Sequence, residues 1–217
     1  SHELKTPLTA LREGVALLRE EVPGALNLGQ REVVDILQHN VIGLQRQIEG
    51  LLSLNAAAFE GSRLARHSVD LHGFLAGVAR RRELHSQARQ LSLRIEAPER
   101  LVSIDDEKVA VIVDNLLSNA IDFSPEGGEI GIVAKAGEGR LQIDVIDQGP
   151  GVAAEDAERI FEPFVQGRIK ALAPRQGSGV GLSIVRELAR VLGGSVRLVP
   201  SAAGAHFSVE IPDEKQH

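Results

Sequence analysis

The 217-residue sequence contains no cysteine, which excludes disulfide bonds and thiolate metal sites. No apolar run approaches the roughly 18 residues that a membrane-spanning helix needs, and the polar opening does not resemble a signal peptide. A positive charge excess is also missing, because the formal net charge is -6. Polyanions repel such a chain, so we expect no nucleic-acid partner and no membrane contact by these residues.

The chain begins at Ser1 without an initiating Met. We therefore expect a fragment of a longer protein, with any membrane anchor or sensor domain lying upstream of it. The length is sufficient for one or two domains with a real core.

Residues 1–60 carry two apolar seams with the seven-residue spacing of paired helices. The first seam is Leu4, Leu8, Leu11, Val15 and Leu18, and the second, after a break at Val22-Pro23-Gly24, is Val34, Leu37, Val41, Leu44, Ile48 and Leu51. This pattern predicts an antiparallel helical hairpin. One hairpin cannot bury both seams well, so we expect two copies to form a four-helix bundle and the chain to be a homodimer.

The remaining residues read as a linker at 61–68 and a mixed domain at 69–217. Helical patterns cover Leu71–Ala88, Glu107–Phe123 and Val180–Leu192. Strand patterns cover residues 91–95, 101–104, 130–134, 141–146, 196–199 and 207–211. Helices and strands mixed in this way predict an α/β sandwich, which makes the whole chain α+β.

Two short clusters on predicted helices carry side chains suited to catalysis or metal binding. His2 lies beside Glu3 and one helical turn from Thr6, and a carboxylate can orient an exposed imidazole for nucleophilic attack. Asn115 and Asn119 are four residues apart, so their amide oxygens share a helix face and can hold a Mg²⁺ ion that keeps water and phosphate ligands. Each cluster has an ordinary interpretation as well: a solvated surface histidine, and exposed or capping asparagines.

Two glycine-rich segments suit a nucleotide. Asp147-Gln148-Gly149-Pro150-Gly151 follows a strand, where a carboxylate can accept from an exocyclic amine and glycines permit close approach; an ordinary turn is the alternative. Gly177, Gly179 and Gly181 open a helix whose free amides suit phosphate, although such a run is often only a flexible loop. The preceding loop carries Arg168, Lys170 and Arg175, and it either closes over phosphates or remains solvated.

Taken in order, these motifs resemble the sensor histidine kinases of bacterial two-component systems along essentially the whole chain. The segment SHELKTPL is similar to the family's H box, DNLLSNAIDFSP to its N box, DQGPG to its G1 box, FEPF to its F box and GSGVGLSIV to its G2 box. The resemblance implies a phosphoacceptor hairpin followed by an ATP-binding domain of the Bergerat (GHKL) type.

The resemblance also implies roles for individual residues. His2 would be the phosphoacceptor, Glu3 its acid-base neighbour and Thr6 the group that positions water for dephosphorylating a partner regulator. In the nucleotide site, Asn119 would be the main Mg²⁺ ligand with support from Asn115, and Asp147 would recognise the adenine amine. Glycines would shape the adenine pocket and border the phosphates, phenylalanines would anchor the lid, and lid cations would contact phosphates: Gly149, Gly151, Gly177, Gly179, Gly181, Phe161, Phe164, Arg168 and Lys170.

The sequence departs from the family pattern at one position. Many members carry Lys or Arg three residues after the second N-box Asn, followed by Tyr, whereas here these positions are Asp122 and Phe123. A carboxylate there tends to repel phosphates unless it is turned away.

The function implied is Mg-ATP-dependent autophosphorylation of His2, followed by transfer of the phosphoryl group to an aspartate of a response regulator. The family resemblance places such a core in the cytoplasmic part of an inner-membrane sensor. Three alternatives stay open: a phosphatase-dominant core, a nucleotide-gated binding scaffold, and an ATPase of the gyrase or Hsp90 type, in which the hairpin has no place.

Overall fold

The computed structural model describes residues 2–60, 64–168 and 179–213, with the backbone alone described for 2–5, 46–47, 49–51 and 53–60. The chain divides into two compact units, Ser1–Ser53 and Leu54–His217. Within the described ranges, no helix is both long and apolar enough to span a bilayer.

The first unit is the predicted helical hairpin, made by α1 (His2–Arg19) and α2 (Leu28–Glu60), the end of which lies beyond this unit. A reciprocal cap begins α2: the Asn27 N–H donates to Gln30 Oε1 and the Gln30 N–H donates to Asn27 Oδ1, both at 2.9 Å. The cap satisfies amides that have no partner within the helix, and so it fixes where α2 begins.

Only alternate members of the two apolar seams are buried in a single hairpin. The buried side chains are Leu8, Val15, Val34 and Val41. Leu11, Leu37 and Leu44 belong to the same seams but are 53%, 41% and 44% exposed. A single copy therefore leaves these three seam leucines largely in contact with water.

The second unit holds a five-stranded sheet in the order β2-β4-β5-β7-β6 and a two-stranded sheet of β1 and β3. The strands are β1 (His67–Asp70), β2 (Ser92–Glu96), β3 (Leu101–Ile104), β4 (Glu129–Gly137), β5 (Arg140–Ile146), β6 (Ser195–Leu198) and β7 (His206–Pro212). In the larger sheet β2 and β4 are parallel, and the other neighbouring strands are antiparallel.

The helices of this unit are α3 (Leu71–Arg80), α4 (Glu83–Gln87), α5 (Asp106–Phe123) and α6 (Gly181–Val191), with single 3-10 turns at Ala154–Asp156 and Arg159–Phe161. Their apolar faces form one core with the sheet. The fold class predicted from the sequence, a helical hairpin followed by an α/β sandwich, is confirmed.

One predicted helix was wrong in its extent. The pattern over Leu71–Ala88 suggested a single helix, but the chain forms α3 and α4 with a turn at Arg81 and Arg82. The Arg82 guanidinium makes a bidentate ion pair with Asp114 of α5, at 2.7 Å from Nε to Oδ1 and 2.5 Å from Nη2 to Oδ2. This contact spans 32 positions of the chain, so local periodicity does not reveal it.

Candidate functional site

Helix α5 presents Asn115 and Asn119 on one face, and the first of them meets the start of α6. The Asn115 Nδ2 donates to the Val111 carbonyl at 2.8 Å. This hydrogen bond leaves Asn115 Oδ1 on the side away from the α5 backbone. A β-carbon at Gly181 would lie 3.0 Å from Asn115 Oδ1. Glycine at the first residue of α6 therefore lets the two helices approach at this amide oxygen.

Asp147 follows β5 directly and is almost fully buried. Its Oδ1 accepts from the Gly149 N–H at 2.8 Å and from the Ala205 N–H at 3.0 Å. Burial raises the pKa of the Asp147 carboxyl, and the two amide hydrogen bonds oppose that rise. Within the described residues Oδ2 has no hydrogen-bond partner, so it can accept from a ligand.

Gly149 and Gly204 pack tightly against Asp147, Gly151 packs against Gly204, and Gly204 was not singled out in the sequence. A β-carbon at Gly149 would lie 2.6 Å from the Phe123 carbonyl oxygen, and Gly151 has a φ of +77°. The missed residue is Gly204, where φ is +70° and a β-carbon would lie only 1.8 Å from the Asp147 carbonyl oxygen. The segment before β7 thus closes one side of the site, by a contact between residues far apart in the sequence.

The two ends that flank residues 169–178 meet in the structure. The Phe164 N–H donates to the Gly179 carbonyl at 2.8 Å, and both residues have positive φ, +64° and +70°. Phe161 is a core residue, with its ring edge-on to Phe207 at a centroid distance of 6.1 Å, whereas Phe164 is half exposed.

Of the three cationic residues predicted to lie in the loop, the structure describes Arg168. The Arg168 N–H donates to Asp156 Oδ2 at 2.9 Å, and its guanidinium pairs with Glu155 at 2.5 Å, both on the 3-10 turn at Ala154–Asp156. Lys170, Arg175 and Gly177 lie outside the described residues. The predicted phosphate contacts of these cations stay predictions.

Asp122, the residue that departs from the family pattern, faces α4. Its Oδ1 lies 3.6 Å from His85 Nε2, and the two side chains are 15% and 23% exposed. Its own backbone carbonyl accepts from Arg89 at 3.0 Å, and the same guanidinium also reaches the carbonyls of Ile121 and Ser124.

The predicted phosphoacceptor lies in the other unit. Helix α1 begins at His2, so Thr6 follows it by one helical turn and is exposed to solvent. The side chains of His2 and Glu3 lie outside the described part of the chain.

The second unit offers the chemistry that an adenine nucleotide needs. Asp147 Oδ2 can accept from an exocyclic amine, while Gly149 and Gly204 leave no room for side chains beside it. The oxygens of Asn115 and Asn119 suit a hard cation that also takes phosphate and water ligands. In the described ranges no group of three or more His, Asp or Glu residues can hold a metal ion, so a divalent cation here would depend on those additional ligands.

Two family models match the chain. Residues 104–215 match the model described as histidine kinase-, DNA gyrase B-, and HSP90-like ATPase. Residues 1–57 match the His Kinase A (phospho-acceptor) domain. The sensor histidine kinase GlrK of Escherichia coli (strain K12) is 35% identical over 216 residues, which is 99% of this chain and 45% of GlrK. The chain thus spans less than half the length of the curated relatives it matches.

Solved structures agree with these matches. The crystal structure of full-length ShkA in complex with AMPPNP has a TM-score of 0.71 and 29% identity, covering 97% of this chain and 44% of ShkA. The fold also matches the histidine kinase ThkA, solved in complex with the response regulator protein TrrA, with a TM-score of 0.68 and 22% identity over 98% of this chain and 59% of that one.

Proposed function

Because the chain belongs to the family of histidine kinase-, DNA gyrase B- and HSP90-like ATPases and carries a His Kinase A phospho-acceptor domain, we propose that it is the catalytic core of a sensor histidine kinase. The observation that carries this proposal is the buried Asp147 carboxylate, with one oxygen held by two backbone amides and the other left to accept. In this proposal residues 1–60 are the phosphoacceptor hairpin, 61–68 a linker and 69–217 the catalytic domain.

Asp147 recognises the adenine amine through Oδ2, and Gly149 and Gly151 shape the pocket around the ring. Two backbone N–H groups fix the carboxylate, so its orientation does not depend on the ligand. An acceptor held in place in this way favours adenine over bases that present an acceptor at the same position.

The phosphates lie toward α5 and the start of α6. Asn119, with Asn115, holds the Mg²⁺ ion, which neutralises phosphate charge when it is bound. The Gly179 and Gly181 amides at the start of α6 suit phosphate oxygens, with Gly177 extending the same run. Arg168 and Lys170 add positive charge from the adjoining loop.

His2 accepts the phosphoryl group. One imidazole nitrogen of His2 attacks the γ-phosphorus, a P–N bond forms, the bond to the β–γ bridging oxygen breaks, and ADP leaves. Glu3 takes the proton from the other ring nitrogen. The same helix face carries Thr6, which positions water when the partner regulator is dephosphorylated.

The partners of this core are a second copy and a response regulator. The exposed seam residues Leu11, Leu37 and Leu44 supply apolar surface that a second hairpin buries. A receiver-domain aspartate of the regulator then takes the phosphoryl group from His2. We place the core in the cytoplasmic part of an inner-membrane sensor, by its likeness to sensor kinases such as GlrK.

The experiment is incubation with Mg²⁺ and γ-labelled ATP, using His2→Gln as the variant and His39→Gln, an exposed histidine of α2, as the matched control. Acid-labile, base-stable label should appear in the wild type and in the control, and it should be absent from His2→Gln. Label that survives in His2→Gln would place the phosphoacceptor elsewhere. No label in the wild type, with ATP binding intact by calorimetry, would refute kinase activity for this chain.

A further inference from the structure

The chain that enters β1 is bonded to the start of α5 at two positions. The Ala65 N–H donates to Asp105 Oδ2 at 3.1 Å. Two residues later, His67 Nδ1 donates to Asp106 Oδ1 at 2.7 Å. The first residues of α5 therefore hold the chain on both sides of Arg66, at the end of the proposed linker.

The Asp105 carboxylate is held in place by its own helix. It is 2% exposed, and as the N-cap of α5 its Oδ1 accepts from the Lys108 N–H at 3.1 Å. Its Oδ2 accepts from Lys108 Nζ at 2.7 Å as well as from the Ala65 N–H. Burial raises the pKa of the Asp105 carboxyl, but the hydrogen bonds from Lys108 and Ala65 outweigh burial and place the pKa below its ordinary value. The acceptor that holds Ala65 is therefore an ionised carboxylate with a fixed orientation.

Strand β1 depends on such contacts because its own pairing is short. It has four residues, three of which are exposed, and it lies in a two-stranded sheet with β3. A two-stranded sheet is marginally stable in water by itself. The Arg66 guanidinium adds a longer contact, 3.4 Å from Nη1 to the Pro212 carbonyl. Loss of the bonds to α5 should therefore loosen residues 65–70.

We propose that Asp105 and Asp106 are positioning residues for phosphoryl transfer, which clamp residues 65–67 to the start of α5 and so limit the length of chain between the hairpin and the α/β unit. This inference rests on the proposed function. Four residues, 61–64, lie between the end of α2 and the clamp, and ten, 61–70, lie between α2 and α3. The effective concentration of one linked module at another falls with about the −3/2 power of the length of the chain that joins them, so full release lowers it by about fourfold.

Two double variants break the clamp from opposite sides. Asp105→Asn/Asp106→Ala changes the acceptors but keeps a helix cap, because Asn caps a helix about as well as Asp does. Ala65→Pro/His67→Ala removes both donors and leaves α5 unchanged. Each double variant should slow the labelling of His2 by about two- to fourfold at saturating ATP, while the Kd of ATP stays within about twofold of the wild type. The variant that combines all four changes should be no slower than either double variant, because the clamp is lost only once.

Each double variant has a matched control that should label at the wild-type rate. Asp70→Asn makes the same exchange at the N-cap of α3, where the Asp70 carboxylate accepts from the Gly73 N–H. Leu64→Pro places a proline one residue before Ala65, at an N–H that makes no hydrogen bond within the described residues. The test follows incorporation from γ-labelled ATP over time and measures the Kd of ATP by calorimetry.

Limited digestion with trypsin tests the clamp without kinase activity. Cleavage after Arg66 requires the chain around it to be released, so it should be about tenfold faster in Asp105→Asn/Asp106→Ala than in the wild type. This variant leaves the sequence around the cleaved bond unchanged, and mass spectrometry identifies the products. Cleavage at the wild-type rate would overturn the proposal.

Slower labelling in both double variants, with unchanged ATP affinity and no further loss when they are combined, supports the proposal. Unchanged or faster labelling, an equal loss in the controls, or losses that multiply in the combined variant overturns it. If Asp105→Asn/Asp106→Ala does not fold, Ala65→Pro/His67→Ala decides by the same criteria. A wild type that takes up no label would refute the proposed function itself, whereas a wild type whose labelling neither double variant slows refutes only the role of the clamp.

Discussion

The hairpin and the α/β unit differ in how completely one chain buries their apolar side chains. In the α/β unit the core runs from α3 to β7, with Leu116, Leu117 and Ile121 of α5 fully buried within one chain. In the hairpin no described side chain is buried below 6% exposure, and three seam leucines are between 41% and 53% exposed. The core of the α/β unit is therefore complete within one chain, whereas in the proposed function the hairpin completes its core with a second copy.

The largest expected effect tests the self-contained core. Leu116→Ala removes a fully buried side chain and should lower the free energy of unfolding of the α/β unit by about 3–4 kcal/mol, at any protein concentration. Val111→Ala, on the exposed side of the same helix, should cost less than about 1 kcal/mol. Urea unfolding followed by circular dichroism measures both, because the chain has no Trp or Tyr for fluorescence. Equal losses would contradict the account.

The next effect tests the tight contact behind Asp147. A β-carbon at Gly204 meets the Asp147 carbonyl at 1.8 Å in a backbone of positive φ, so Gly204→Ala should destabilise the unit by about 3 kcal/mol. Gly127→Ala is the matched control, because Gly127 also has positive φ but nothing lies within 4 Å of its added carbon. That control should cost about 1 kcal/mol, the strain alone. A similar loss in both variants would mean that the Gly204 contact yields easily.

A charge on the hairpin seam tests its need for a partner. Leu37→Asp should weaken self-association by about a hundredfold, because a carboxylate would be buried in the apolar interface between copies. Leu84→Asp, an exposed leucine of α4, is the control and should leave association unchanged. Sedimentation over a range of concentrations measures both. If Leu37→Asp remains dimeric, copies associate through another surface.

The smallest expected change in stability concerns Asp147. Its effects on folding stability and on ATP binding should have opposite signs. Its pKa is raised by burial, so its ionised form is less favourable in the folded chain than in the unfolded one. Its contribution is therefore fully present below 3.8, the ordinary value, and is lost as pH rises through the higher folded pKa. Asp147→Asn keeps an oxygen for the two amides and should leave stability equal or slightly raised at neutral pH.

Nucleotide binding should respond in the other direction. In the wild type, ATP affinity should fall as pH drops through the raised pKa of Asp147, because a protonated carboxyl accepts less well from the adenine amine. In Asp147→Asn the side-chain NH₂ faces the adenine amine, so binding should be weak at every pH. Calorimetric titration and thermal unfolding across the acid range measure both quantities. A variant that binds ATP normally would remove Asp147 from the site.

Local sequence predicted much of the fold and the order of the motifs. The start of α5 follows from its N-cap, because Asp105 accepts from the Lys108 N–H at 3.1 Å. The end of α6 is marked by Gly193, which has the positive φ of a residue that follows a helix. Strand β4 shows the alternation of buried and less buried side chains that a half-buried strand has. These signals lie within a few residues of the feature that they predict.

Features that depend on distant contacts could not be predicted. Strand β1 is four residues long and exists through its pairing with β3. Gly204 is required by a carbonyl 57 positions earlier in the chain, and Asp122 lies 3.6 Å from His85 of another helix. Neither partner can be recognised in the neighbouring residues.

The division of labour between the two regions is tested most directly by measuring ATP binding and phosphoryl transfer in parallel on the wild type, His2→Gln and Asp147→Asn. The account predicts that His2→Gln binds ATP like the wild type but takes up no acid-labile label, and that Asp147→Asn binds ATP weakly and takes up little label. Label on His2→Gln, or labelling of Asp147→Asn at the wild-type rate, would contradict it.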